Sequence, residues 1–209
     1  MIRIENTDIV GWEHAIRGAR NPMNSWAKSD SSSELAGYCV GKNDHDLMMK
    51  LRNAGTDHRK FMRMITVYAD ITAPLYWWKE FDTYKIGTVA NSCSTMHKIH
   101  AKEFTIDDFS HEHLLEQDEK ALNYIVDYLN INRRSYLDTK DKTYWWQMIQ
   151  LLPSSYNQKR TVMMNYEVLA NIYKSRKNHK LDEWRDFCKW IETLQYSELI
   201  TGEDNGDTV

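Results

Sequence analysis

Apolar residues recur mostly at helical intervals along this chain, and only a few short stretches alternate with polar ones. At the start, Ile2, Ile4 and Asn6 alternate with Arg3 and Glu5, which predicts an opening strand with one face buried. Asp8 is the expected cap of a helix through Trp12, Ala15 and Ile16 that ends near Gly18. The run 20–30 (RNPMNSWAKSD) carries turn residues and reads as a loop, and the serine cluster Ser31 to Ser33 is too brief for a linker. Asp44 stands where it would cap a second helix with Leu47, Met48 and Leu51 inside and Gly55 as its stop. Residues 59–71 are rich in β-branched and aromatic side chains and predict a strand, with Phe61, Met64 or Ile65, Val67 and Ala69 on one face.

Pro74 suits the first turn of a helix, where its missing N–H costs nothing. That helix would carry Leu75, Trp78 and Phe81 on one side and Trp77, Glu80 and Tyr84 on another. After Gly87, polar residues to Met96 form a strand or an extended loop, and Thr105 to Asp108 reads as a turn or cap. Helices are expected from about Leu114 to Ile131, from Asp141 or Thr143 to Pro153, from Arg160 to Lys174, and from about Asp182 through Ile191. The sum is one α+β domain over residues 1–200, followed by an acidic tail, 201–209, expected to be disordered.

Charge narrows the function. With 27 Lys and Arg against 30 Asp and Glu the net charge is −3, so no global field favours nucleic acid or an acidic membrane surface. The three cysteines, Cys39, Cys93 and Cys188, form neither a disulfide framework nor a zinc pattern, which points to a reducing cytoplasm. No basic and apolar leader and no long apolar run is visible, so a cytoplasmic protein without a membrane segment is expected. Eight tryptophans and twelve tyrosines imply either a rich core or extensive subunit contacts.

The stretch Pro74 to His97 is the expected site, because Thr88, Asn91, Ser92, Cys93, Ser94 and Thr95 follow a rigid aromatic block. His111, Glu112 and His113 lack a third ligand at usable spacing for a metal. Cys93 has no base identifiable from spacing, and no hydrolase elbow, P-loop or dinucleotide fingerprint occurs. Helical periodicity puts Asn165, Leu169, Ile172 and Arg176 on one broad face, whereas Arg176 could equally serve as a cation at a helix C-terminus. Arg17 and Arg20 flank the first loop and would hold an anion or lie at the solvated surface.

Leu152-Pro153, then Asn165, Leu169 and Asn171, then Arg176, His179 and Trp184 resemble, in order, the flavin-dependent thymidylate synthases. In that family a Leu-Pro precedes a helix that opens with Asn and ends in Leu-Arg, and a His-Ala-Gln-Trp-Glu segment follows. The resemblance spans about residues 45 to 195, with His58 to Arg63 near the family's Ser-Pro-Phe-Glu-His strand. Asn91 and Ser94 fall on the Asn and second Ser of its Arg-His-Arg signature, but Tyr84, Lys85 and Ile86 occupy the Arg-His-Arg itself. Val89 replaces the first Ser and Met96 the final Arg.

The resemblance implies a helix-rich fold with a central, mostly antiparallel sheet. It also implies a homotetramer that binds FAD and dUMP at sites shared between subunits, using methylenetetrahydrofolate and NADPH when active. On that reading Arg176, Ser94, Lys85 and Asn91 bind nucleotide, with Ser94 by the phosphate and the candidate catalytic residue. Asn165, His58, Arg59, Arg63 and His179 would bind the cofactor, and no metal is implied. Each charge-assisted contact removed with Arg-His-Arg costs about 1.5–3 kcal/mol, unless Lys85, Lys79, Arg59 or Lys98 substitutes. The alternatives are a nucleotide-sequestering pseudoenzyme and a protein-protein inhibitor whose hot spots are Trp77, Trp78, Trp145 and Trp146.

Overall fold

The computed structural model describes residues 1–35 and 37–202. The expected disordered tail therefore lies outside the described residues, apart from Thr201 and Gly202. The architecture is α+β and helix-rich. Four strands, β1 (Arg3–Val10), β4 (Thr66–Pro74), β5 (Thr88–Ser92) and β6 (Asn157–Asn165), form an antiparallel sheet in the order β1-β4-β6-β5. A two-stranded ribbon pairs β2 (Ser32–Glu34) with β3 (Gly37–Cys39). The chain divides into two compact units. Among the described residues no helix is long and apolar enough to cross a membrane.

The first unit comprises Met1–Arg3, Asp70–Thr83 and Ala90–Thr161. Its main helices are α3 (Leu75–Phe81), α4 (Glu116–Thr139) and α5 (Lys142–Leu151), with Asp141 capping α5 through the Thr143 amide at 2.8 Å. Burial of Ile99, Phe104, Phe109, Leu122, Val126, Leu129 and Met148 builds the core under α4 and α5. Pro74 is the cap of α3 rather than a residue of its first turn, and the next two amides donate to the Tyr156 and Ser154 carbonyls, each at 3.0 Å. Trp77 and Trp78 are buried, with Trp77 stacked on Phe81 and the Trp78 indole N–H donating to the Gln158 carbonyl. They therefore cannot act as exposed hot spots, because burying two indoles stabilises the fold far more than a surface contact would.

The second unit comprises Ile4–Ala69, Tyr84–Val89 and the chain from Val162 onward. It contains α1 (Trp12–Arg20), α2 (Lys42–Asn53), α6 (Tyr166–Arg176), α7 (Asp182–Glu192) and α8 (Glu198–Thr201). Helix α6 packs against α7 and α8, and Trp12 meets Tyr166 and Tyr196 edge-on at 5.2 and 5.1 Å. Two expected caps move. Asp8 lies within β1, and Gly11 caps α1 at φ 99°, where a Cβ would fall 2.1 Å from the Met64 carbonyl oxygen. Gly41 caps α2, and the Asp30 carboxylate, distant in sequence, accepts the Asn43 and Asp44 amides at 2.8 and 3.1 Å.

Asp44 itself is fully buried and pairs with Arg20 at 2.5 Å, which corrects the expectation that Arg20 holds an anion or lies in solvent. Two element assignments also change. Residues 59–64 form a 3₁₀ turn and the strand begins only at Thr66, while 160–165 belong to β6, so the helix starts at Tyr166. Val162 and Met164 are buried and Met163 is not, an alternation that helical spacing of the same residues had masked.

Candidate functional site

Helix α6 is fixed at its start by the side chain of Asn165, whose Oδ1 accepts the Val168 amide at 2.9 Å. The Asn165 Nδ2 lies so close to Gly87, itself at φ 81°, that a Cβ there would stand 2.5 Å away. A glycine is needed on both counts. Three turns later α6 ends in half-buried Arg176, whose Nε donates to the Tyr84 hydroxyl at 2.9 Å. Its guanidinium carbon sits 4.7 Å from the Trp184 ring centroid and 5.7 Å from that of Tyr84. His179 completes the group, edge-on to Trp184 at 6.3 Å, with Nδ1 accepting the Leu181 amide at 3.2 Å. Planar faces of this kind orient a guanidinium fork for a planar or anionic partner.

Around this cluster the other expected residues of the second unit take different places. Lys85 is exposed and Ile86 is 91% exposed. The Tyr84 carbonyl accepts from the Thr88 hydroxyl, so the segment expected at the place of Arg-His-Arg is a braced turn that starts at a tyrosine. His58 and Arg63 are exposed at the two ends of the 3₁₀ turn. Arg59 is held between them, its Nε 3.0 Å from Glu167 and one Nη donating to Asn171 Oδ1 at 3.3 Å.

The first unit holds Asn91, exposed in β5, and Ser94 just beyond it. The Ser94 Oγ accepts the Met96 and His97 amides at 3.2 and 2.8 Å, which leaves its O–H to donate outward. Ser94 lines a cavity of about 430 Å³ with Thr72, Lys102, Asp108, Tyr156 and Lys159. Lys102 pairs with Asp108 at 2.5 Å and Lys159 with Asp70 at 3.1 Å. The Thr72 hydroxyl is buried and makes no hydrogen bond. Burial, helped by Asp108 and Cys93, pushes the Tyr156 phenol above its ordinary value, so it stays protonated and can donate.

Cys93 is exposed, and its amide donates to the Lys159 carbonyl at 2.9 Å. Of the His-Glu-His run, His111 Nδ1 meets the Phe109 carbonyl at 2.8 Å and Glu112 pairs with the chain's ammonium terminus at 2.7 Å. Among the described residues no three His, Cys, Asp or Glu side chains gather for a metal. Tyr84 and Trp184 as the holders of Arg176, and Thr72 as a cavity residue, escaped the sequence reading. Only the aromatic richness of 74–84 hinted at the first.

Neither a protein-family model nor a curated protein matches the chain. Solved structures do, and they define the class of fold as that of the flavin-dependent thymidylate synthases. Thymidylate synthase X (ThyX) from Helicobacter pylori, solved with FAD and dUMP, superposes with a TM-score of 0.71 at 17% identity over 97% of this chain and 98% of that one. A UMP/dUMP methylase, PolB, from Streptomyces cacaoi, bound with 5-Br dUMP, gives 0.63 at 12% identity over 92% and 88%.

Proposed function

We propose that this protein binds a pyrimidine nucleotide of the UMP or dUMP type as a ThyX-like homo-oligomer. The observation that carries the reading is a likeness along nearly the whole chain to proteins solved with dUMP or its 5-bromo analogue. Ser94 would donate its O–H to the phosphate, with Lys102 and Lys159 beside it in the same cavity. Arg176, oriented by Tyr84 and Trp184, would read the base or phosphate, with exposed Lys85 from the same unit, while exposed Asn91 would join Ser94 in the other. In a tetramer with shared sites these groups would be supplied by different chains.

The flavin is a separate question of fit. Of the five residues assigned to it, Arg59 is paired with Glu167 and Asn165 caps α6, which leaves His58, Arg63 and His179. On this reading a flavin would be held by His58, Arg63 and His179 together with groups of neighbouring subunits. The replacement of Arg-His-Arg by Tyr84-Lys85-Ile86, with Ile86 exposed, favours as second reading a nucleotide binder without turnover.

The test is calorimetric titration of the purified protein with dUMP, UMP and ATP, with its native absorbance spectrum recorded. Saturable binding of dUMP or UMP, lost about 10- to 100-fold in the Arg176→Ala variant, is expected. No binding by either would end the proposal. Flavin absorbance, and methyl transfer to dUMP on adding FAD, methylenetetrahydrofolate and NADPH, would mark the enzyme; binding without transfer would mark the sequestering protein.

A further inference from the structure

Within the first unit a second cavity, of about 470 Å³, lies beside α5, walled by His97, His100, Tyr136, Lys142, Trp145 and Trp146. Its chemistry differs from that of the cavity at Ser94. Trp145 and Trp146 meet edge to face at 4.8 Å, and the Trp145 indole N–H donates to the Met96 carbonyl at 3.0 Å, which fixes that ring in the wall. His100 and Tyr136 make a second aromatic pair, 4.9 Å between centroids. The charge on the walls is of one sign. Lys142 lines the space, Lys140 stands 6.0 Å from the Tyr136 ring, and among the described residues no Asp or Glu belongs to the lining.

One further feature fits a ligand rather than a packing gap. Trp146 is 48% exposed, although an indole is the side chain with most to gain from burial. The volume lies in the range of small-molecule pockets, with mostly aromatic walls and few polar groups.

From these features we infer that this cavity binds a small planar aromatic anion, its ring against Trp145, Trp146 and Tyr136 and its negative group toward Lys142. A lining that holds Lys142 and, among the described residues, no Asp or Glu selects against neutral and positive analogues of the same shape. Binding in this cavity does not depend on the nucleotide reading.

The probes are naphthoate, naphthylmethanol and naphthylmethylamine, which share one ring system and carry negative, no and positive charge. Each is titrated by calorimetry into the full-length protein and into Trp146→Ala and Lys142→Ala, both at exposed side chains, with thermal melts to check folding. Naphthoate is expected to bind one site about tenfold or more tighter than the alcohol, the size of a charge-assisted contact. Trp146→Ala should abolish binding, and Lys142→Ala should bring naphthoate down to the alcohol. Absence of naphthoate binding, equal binding of the three probes, or unchanged binding by folded Trp146→Ala would each overturn the assignment.

Discussion

The carboxylate of Asp44 and the Nδ1 of His100 are both shut off from solvent, and their surroundings treat them oppositely. Asp44 accepts from Arg20 Nε at 2.5 Å, from the hydroxyls of Ser29 and Ser31 at 2.7 Å each, and from the amides of Asp30 and Ser31 at 3.0 and 3.1 Å. His100 Nδ1 receives nothing and sits in the wall of an aromatic cavity. The first is a closed knot that joins α1, α2 and the 29–31 turn. A polar group closed by its own chain serves the fold, whereas one left unpaired contributes no bond to it, even where its ring borders a cavity.

The sharpest way to break that contrast is to cut the knot. Arg20→Ala leaves a buried carboxylate without its ion, and the loss of stability is expected at about 3–5 kcal/mol, read by urea unfolding. A loss under about 1 kcal/mol would mean that the knot is not structural. Acid tests the same group more gently. Burial alone would raise the Asp44 pKa, but the hydroxyls of Ser29 and Ser31, the Arg20 guanidinium and the Asp30 amide outweigh it and hold the carboxyl below its ordinary value. A carboxylate depressed on folding contributes stability that is complete above its unfolded pKa of about 3.9 and lost as pH falls through the lower folded value. The urea midpoint should therefore fall in that acid window, and Asp44→Asn should remove this part of the pH dependence.

Much of this was legible beforehand in the helices and little of it in the knot. The spacing of Trp145, Met148 and Ile149 and the cap at Asp141 are local signals, and α5 begins and ends where they place it. The helix that ends at Arg176 is likewise read from one element, although Asn165 caps it from β6 instead of sharing its face, and the order of Leu152-Pro153, Asn165 and Arg176 carried the fold. Asp44 resembles a local cap, but its ion partner Arg20 lies 24 residues away, and the amide of Asn43 is taken instead by Asp30, 13 residues earlier in a stretch that reads only as a loop. Sheet pairing extends β6 through a stretch whose apolar spacing also fits a helix, a conflict that only tertiary hydrogen bonds decide. Tyr84 escaped for the same reason. Its partner Arg176 lies 92 residues further on.

Asn165 stands between the two extremes, since one end of its amide is closed by α6 and the other faces Gly87. Asn165→Ala should cost about 1 kcal/mol through the lost cap. Gly87→Ala should cost about 1–2 kcal/mol for the left-handed backbone alone, more if the Asn165 amide must move. If the two effects are coupled, the double variant will lose measurably less than the sum, which chemical denaturation of all three proteins can read.

Trp146→Ala should produce the smallest change in stability and is the strictest test of the contrast. The side chain is half exposed, and its partner Trp145 is already held by the Met96 carbonyl, so removing it opens no sealed core. The unfolding free energy is expected to stay within about 0.5 kcal/mol of the parent, as for surface changes generally. A loss of several kcal/mol would instead make Trp146 a core residue that the fold needs, and the aromatic cavity would then be of one kind with the Asp44 knot. Near-neutral stability together with lost naphthoate binding separates the two, because a ring that contributes to ligand and not to folding belongs to the cavity rather than to the core.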